Sequence, residues 1–268
     1  MMKPLSSQAF AAVTRLFHSV SGIQLNESKQ ALVTGRLQRL ATEAGESDVE
    51  AYVERLLRGG APAQEMTRLI DRLTTNETYF FREPQHFNDL ADRLPLVPPG
   101  SEFRVWSAAS SSGEEAYSVA MLLSEQLSQA PWQVIGTDLS VSMVESARRG
   151  LYPMDRARMV PQAYLKRFCL KGQDAQAGQV LIDRTLRAKV RFDQANLMQP
   201  LPDWLPQFDV IFLRNVLIYF DNDAKADIVR RVLGRLKPEG VLYTGHAESL
   251  SNLGLPLRTL TTAVHTHA

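Results

Sequence analysis

Phe208–Phe220 reads FDVIFLRNVLIYF, an apolar run with Arg214 and Asn215 at its centre. The run is far shorter than the roughly 20 apolar residues that cross a bilayer, and its central charge opposes insertion further. Its length and its Val, Ile and Phe content suit a strand buried on both faces of a parallel sheet. Arg214 and Asn215 then stand where that strand leaves the sheet. A buried guanidinium without partners would cost several kcal/mol, so Arg214 must have them. They are either protein groups, such as loop carbonyls and an acidic neighbour, or a bound ligand and its substrate; the ligand is the expectation we adopt. Tyr219 lies on the same exit and can carry its hydroxyl over a reacting atom.

Outward from this strand the same pattern repeats. FRVWSAA from Phe103, WQVIGTDL from Trp132, KVRFDQAN from Lys189 and GVLYTGH from Gly240 are short apolar runs. Helical periods separate them: Ala116, Val119, Ala120, Leu123 and Leu127 fall on one face, as do Ile228, Val229, Val232, Leu233 and Leu236 before a Lys-Pro-Glu-Gly turn. Alternation of this kind predicts an open, mostly parallel sheet with crossover helices, a Rossmann-like α/β fold. The tail LRTLTTAVHTHA reads as one closing antiparallel strand. Between Tyr152 and Ala188 the connection is too long for a simple crossover, and Gly172 and Gly178 bracket a polar turn, which predicts an inserted β-hairpin. The N-terminal part differs. From Ser6 to Leu73 the period is helical throughout, with Phe10, Val13, Phe17 and Val20 on one stripe and Gly22 as a stop. The expected organisation is a helical domain over residues 1–75, a linker over 76–100, an α/β domain over 101–268 and a small β-subdomain at 166–190 inserted in it.

Composition narrows the partners. Lys+Arg 30 against Asp+Glu 29 leaves a net charge of +1, so nothing global attracts nucleic acid. One cysteine, Cys169, and a start without an apolar signal core point to a cytoplasmic chain, with no membrane insertion.

Ligands of open parallel sheets bind at the C-terminal ends of the strands. The first such end is SAASSSGEEAYS, with the single glycine Gly113 where a dinucleotide site would want three, and with Glu114 and Glu115 at the helix terminus, where they would repel a phosphate. Asp138, ending the second strand, can accept hydrogen bonds from ribose hydroxyls or simply belong to the cap of the next helix. Asn196 and Leu197, after the third, offer an amide and an apolar face to an adenine, with ordinary loop chemistry as the less favoured alternative. A pocket with a ribose acid, an adenine amide and no phosphate cradle suits S-adenosylmethionine better than NAD or ATP.

The segment Thr74–Phe87, TTNETYFFREPQHF, precedes the α/β part, and Pro84 reads as a helix stop. With VWSAASSSGEEAYSVAMLL, GTDLS, FDVIFLRNVLIYFD, LKPEGVLYTGHAESL and the N-terminal KQALVTGRLQRL, it resembles the chemotaxis receptor glutamate methyltransferases, the CheR family of class I S-adenosylmethionine-dependent enzymes, over most of the chain. The resemblance implies that Asn76, Thr78 and Arg82 approach the cofactor from the linker, with Glu114 near its methionine end. It also implies Asp138 at the ribose, Asn196 and Leu197 at the adenine, Arg214 and Asn215 on the floor, and Arg82 and Tyr219 beside the methyl group. Lys29, Arg36 and Arg39 occupy the stretch that in the family faces the acidic cytoplasmic helices of methyl-accepting receptors. The implied reaction is methyl transfer from S-adenosylmethionine to a receptor glutamate, leaving S-adenosylhomocysteine, by a monomer and without a metal. Rival readings are a methyltransferase of small carboxylates, a non-catalytic cofactor sensor and, disfavoured by the loop, a dinucleotide oxidoreductase. His246 is expected to hydrogen-bond near the last strand, and His265 and His267 lack the companions of a metal site.

Overall fold

The computed structural model describes residues 5–59, 62–127 and 130–268, so the first four residues of the N-terminal start lie outside it. It divides into two compact units, one of residues up to Thr75 with Tyr219–Ala224, the other of Asn76–Ile218 with Lys225–Ala268.

The first unit is helical. Its helices are α1 (Ser7–Ser21), α2 (Gln30–Glu43), α3 (Val49–Gly59) and α4 (Ala63–Leu73). Helix α1 begins where the Ser6 side chain accepts from the Ala9 amide and ends at left-handed Gly22, whose N–H reaches the His18 carbonyl at 2.7 Å. Of the stripe read from sequence, Phe10, Val13 and Phe17 are buried and Val20 is half-buried; Leu37, Tyr52 and Leu69 are fully buried in the same unit. Within this unit the backbone N–H of Gln24 also donates to the Tyr219 carbonyl at 3.1 Å.

In the second unit, α5 (Pro84–Arg93) precedes β1 (Phe103–Ala108), α6 (Glu114–Gln126), β2 (Trp132–Asp138) and α7 (Val141–Arg149). Pro84 therefore opens a helix. At the first helical position its missing N–H has no intrahelical partner to lose and its fixed φ suits the turn. The chain continues through β3 (Leu151–Pro153), α8 (Gln162–Phe168), β4 (Cys169–Lys171), β5 (Gln179–Ile182) and α9 (Arg184–Arg187). It then forms β6 (Val190–Gln194), β7 (Phe208–Leu213), α10 (Asn222–Leu233), β8 (Leu236–Thr244), β9 (Leu257–Thr261) and β10 (Val264–His267).

The described residues form a seven-stranded sheet of order β6-β2-β1-β7-β8-β10-β9, in which the first five are parallel and β10 runs antiparallel to β8. Parallel pairing brings Ala108 level with Thr137, Asp138 with Gln194 and Leu213 with Thr244, so the five following loops leave along one edge. A separate antiparallel sheet, β3-β5-β4, is the inserted subdomain. Its hairpin turns between Gly172 and Gly178 as expected, but Leu151–Pro153 adds a third strand before residue 166. Three residues with Pro at the end carry too short a period to be read as a strand.

Two further expectations change. The Lys-Pro-Glu-Gly turn lies inside β8, because Leu236 already pairs with Phe208 and the register slips before Val241 pairs with Val210. Lys237 donates to both Asp209 oxygens at 2.8 Å, holding the bulge to the neighbouring strand. The tail is two strands rather than one, folded back through Ala263 at φ 60.

Candidate active site at the C-terminal edge of the sheet

The loop after β1 climbs over the edge in a contorted path, with Ala109 at φ 74, Ser111 at φ 49 and Gly113 at φ 96. A Cβ on Gly113 would come within 2.8 Å of the Ala147 methyl, so this loop packs on α7 too closely for any other residue. Asp138 ties the edge together: one carboxylate oxygen accepts from the Ser111 amide at 2.8 Å and the other from the Ser140 amide at 2.9 Å. Ser140, not Asp138, caps α7, accepting from Met143. Asp138 is thus a buried carboxylate that organises two loops beside the cap of α7.

Glu114 is fully buried and paired, accepting from Arg156 Nη1 at 2.7 Å and Ser112 Oγ at 2.6 Å. The sequence expectation placed it toward a cationic ligand; its charge already has a protein partner. Asn196 is half-buried and turns its Oδ1 to the Met198 amide at 2.9 Å, with Leu197 buried beside it. Asn76 and Thr78 are half-buried, and the Asn76 carbonyl accepts from Ser111 Oγ at 3.2 Å, which brings the linker to the β1 loop.

The centre of the edge is Arg214. Nη1 meets Glu115 Oε2 at 3.0 Å, while Nη2 meets Glu83 Oε2 at 3.0 Å and the Arg82 carbonyl. Loop carbonyl and acidic neighbours, the protein alternative for this residue, are thus realised, with the guanidinium against the Phe87 and Phe212 rings. Only Nε is left without a hydrogen bond among its polar atoms. One guanidinium does not fully offset two carboxylates in a buried setting. Burial pushes the Glu115 carboxyl above its usual range despite Arg214 and Ser107. For Glu83 burial acts the same way but is outweighed by Arg214 and by the Asn215 amide, 3.2 Å from Oε1, so its carboxyl is held low.

Glu83 and a third acid, Glu248, were not singled out in the sequence, and Glu115 was read only as a charge at the helix terminus, not as a partner of Arg214. Glu248 accepts three backbone N–H groups, from Asn215 at 2.8 Å, Leu217 at 2.6 Å and Gly245 at 2.6 Å, and so clamps the loops after β7 and β8. The signal for Arg214's partners was its own burial cost; nothing local identified which acids answered it.

Arg82 is half-buried between two left-handed residues, Phe81 at φ 54 and Glu83 at φ 55. Its Nη1 donates to the Glu77 carbonyl at 2.9 Å and its guanidinium lies 5.7 Å from the Tyr79 ring centroid. With Asn215 at φ 57, five non-glycine residues of this edge occupy a conformation costing about 1–3 kcal/mol each. Beside them His86 is almost wholly buried with neither ring nitrogen hydrogen-bonded, and burial, then Arg214, pushes its pKa down to about 4.

Tyr219 and the three basic residues belong to the first unit. Tyr219 is half-buried at the end of a short 3-10 turn, Leu217–Tyr219. Lys29 is exposed, whereas Arg36 spends Nη1 on the Leu73 and Thr74 carbonyls at 2.9 and 3.0 Å, closing α4, and Arg39 pairs with Glu43 at 2.9 Å. The matching stretch is therefore not a uniform row of unengaged cations.

The strand order, the single-glycine loop packed on α7 and the buried acid ending β2 together form the C-terminal edge at which open parallel sheets bind ligands. Fold and edge define a Rossmann-like, S-adenosylmethionine-dependent methyltransferase of class I. The family descriptions "CheR methyltransferase, all-alpha domain" and "CheR methyltransferase, SAM binding domain" match residues 8–74 and 76–264, and the chain belongs to that family. It is 37% identical to the chemotaxis protein methyltransferase of Salmonella typhimurium over 93% of this chain and 86% of that one. Identity to the Escherichia coli protein of the same name is 38%, covering 93% and 87%. Chemotaxis protein methyltransferase 2 of Pseudomonas aeruginosa is 35% identical, covering 97% and 92%.

Proposed function

We propose that this chain transfers the methyl group of S-adenosylmethionine to glutamate side chains of methyl-accepting chemotaxis receptors, forming methyl esters and releasing S-adenosylhomocysteine. The observation that carries the reading is the convergence on one sheet edge of the Asp138 hub, the Asn196 loop and the Arg214 network that anchors the Arg82 segment. Asn76, Thr78, Glu114, Asp138, Asn196, Leu197, Arg214 and Asn215 are the proposed cofactor residues, with Arg214 acting through the segments it holds.

The cofactor supplies an electrophilic methyl on a sulfonium. A glutamate of ordinary pKa, about 4.3, is already ionised at neutral pH, so the reaction asks the protein for positioning and exclusion of water rather than for a base. Arg82 orients the incoming carboxylate, and Tyr219 gives a directional hydrogen bond. Receptor helices approach through Lys29 and Arg39, with Arg36 contributing what its two carbonyl bonds leave. The division into residues 1–75, the linker 76–100, the catalytic part 101–268 and the insert near 166–190 belongs to the same reading, as do a monomeric state and a cytoplasmic setting. Among the described residues no helix is long and apolar enough to cross a membrane.

Incubation with radiolabelled S-adenosylmethionine and receptor-rich membranes, followed by base treatment and counting of volatile label, tests this directly. Base-labile label on receptor protein is expected. Label confined to small molecules would replace the reading with a small-carboxylate methyltransferase, and cofactor binding without any transfer would replace it with a sensor.

A further inference from the structure

Glu83, His86 and His246 bring one ligand atom each within 4.8 Å of one another, and nothing in the methyl-transfer chemistry uses the two histidines. Glu83 and His86 stand one turn apart where α5 begins, and His246 follows β8, its ring 4.9 Å from that of His86 at a steep angle. Buried imidazoles normally keep a hydrogen bond. His86 has none on either nitrogen, yet it lies almost wholly inside the protein with Nδ1 pointing to Glu83 Oε2 at 3.5 Å. Metal bonds of about 2.0–2.1 Å in a tetrahedron set neighbouring donor atoms about 3.4 Å apart, so one edge of such a sphere is already formed. His246 is exposed and can complete it by a side-chain adjustment.

Charge decides whether a dication can enter beside Arg214. The hydrogen-bonded surroundings contain Glu83 and Glu115 on Arg214, Glu248 on the Asn215 loop, and Asp89 between Arg93 and Tyr243, whose ring packs against His86. Four carboxylates face two guanidinium groups. That surplus compensates a divalent ion, and the Asn215 amide on Glu83 Oε1 is the kind of outer hydrogen bond that orients a ligating carboxylate. Two imidazoles and one carboxylate select a borderline metal such as Zn2+ over Mg2+ or Ca2+, which favour oxygen ligands throughout.

We propose that Glu83, His86 and His246 bind Zn2+, and that occupancy opposes cofactor binding by drawing Glu83 Oε2 away from Arg214. The antagonism rests on the cofactor reading above; the metal site does not. Calorimetric titration of ZnCl2 into the full chain, free of any histidine tag and of chelators, is expected to show one equivalent bound. His246→Ala, a surface change, should weaken that binding by more than about tenfold, and S-adenosylhomocysteine should bind more weakly to the zinc-loaded chain. No saturable zinc binding, or binding equal in His246→Ala, overturns the site. One equivalent lost in His246→Ala but no change in cofactor affinity overturns the antagonism. Loss of all S-adenosylhomocysteine binding in zinc-free protein would instead overturn the cofactor reading and leave the site standing.

Discussion

Arginine is used in opposite ways in the two units. Arg214 is buried, shared by two acids and a carbonyl, and packed between aromatic rings; Arg39 is exposed and touches one acid on its own helix turn. The same side chain therefore carries different energies. In the sheet edge it is a strut whose removal leaves two carboxylates buried without a counter-charge. On the helical unit it is one replaceable charge in a long-range field.

The sharpest way to break this contrast is Arg214→Ala. We expect a loss of about 3–5 kcal/mol of stability in urea denaturation, against less than about 1 kcal/mol for Arg39→Ala. Equal losses would erase the distinction. Next come Arg82→Ala and Tyr219→Phe, each expected to lower turnover by about tenfold to a hundredfold with an unchanged denaturation midpoint; wild-type turnover in both would remove them from the reaction. Glu248→Gln keeps the size but leaves backbone N–H groups of the β7 and β8 loops facing an amide, and should cost about 1.5–3 kcal/mol. A neutral result would mean the clamp works by shape alone.

His86 extends the contrast to pH. Because burial lowers its pKa to about 4, the folded chain holds fewer protons than the unfolded chain between that value and the ordinary 6.5. Its contribution is complete above pH 6.5 and is lost as pH falls toward 4. At pH 5 the loss is about 2 kcal/mol, and His86→Phe should flatten that part of the profile. An identical profile in the variant would reassign the acid sensitivity. The smallest effect is expected on the helical unit, where Lys29→Glu should weaken receptor binding by less than about 1 kcal/mol, and less still at high salt. Salt-independent binding would argue against charge recognition.

Legibility from sequence followed the same divide between local and distant. FDVIFL and WQVIGTD declare themselves as strands through residues within one element, and Ala116, Val119, Ala120 and Leu123 declare a buried helix face. Arg214 announced that it needed partners because burial cost depends on its neighbours in the chain. Which partners answered was invisible, since Glu115 and Glu83 meet it only after the sheet assembles, 99 and 131 residues away. Turn chemistry misled in two places. Pro84 starts a helix because the first helical position tolerates proline, and Lys-Pro-Glu-Gly sits in a bulge where Asp209, on another strand, holds Lys237. Glu248 stayed hidden because its partners are backbone amides, which every residue type offers alike.

The alternation Phe81, Arg82, Glu83 has a consequence for how this protein can vary. Two left-handed residues flanking one other send three consecutive side chains on separate errands: a ring into the core, a guanidinium toward Glu77 and Tyr79, and a carboxylate onto Arg214. Each errand depends on position along the chain. Substitution at one site disturbs one errand, but deleting or inserting a single residue between Phe80 and Pro84 would reassign all three at once. Relatives should therefore tolerate changes of letter in this segment far better than changes of length.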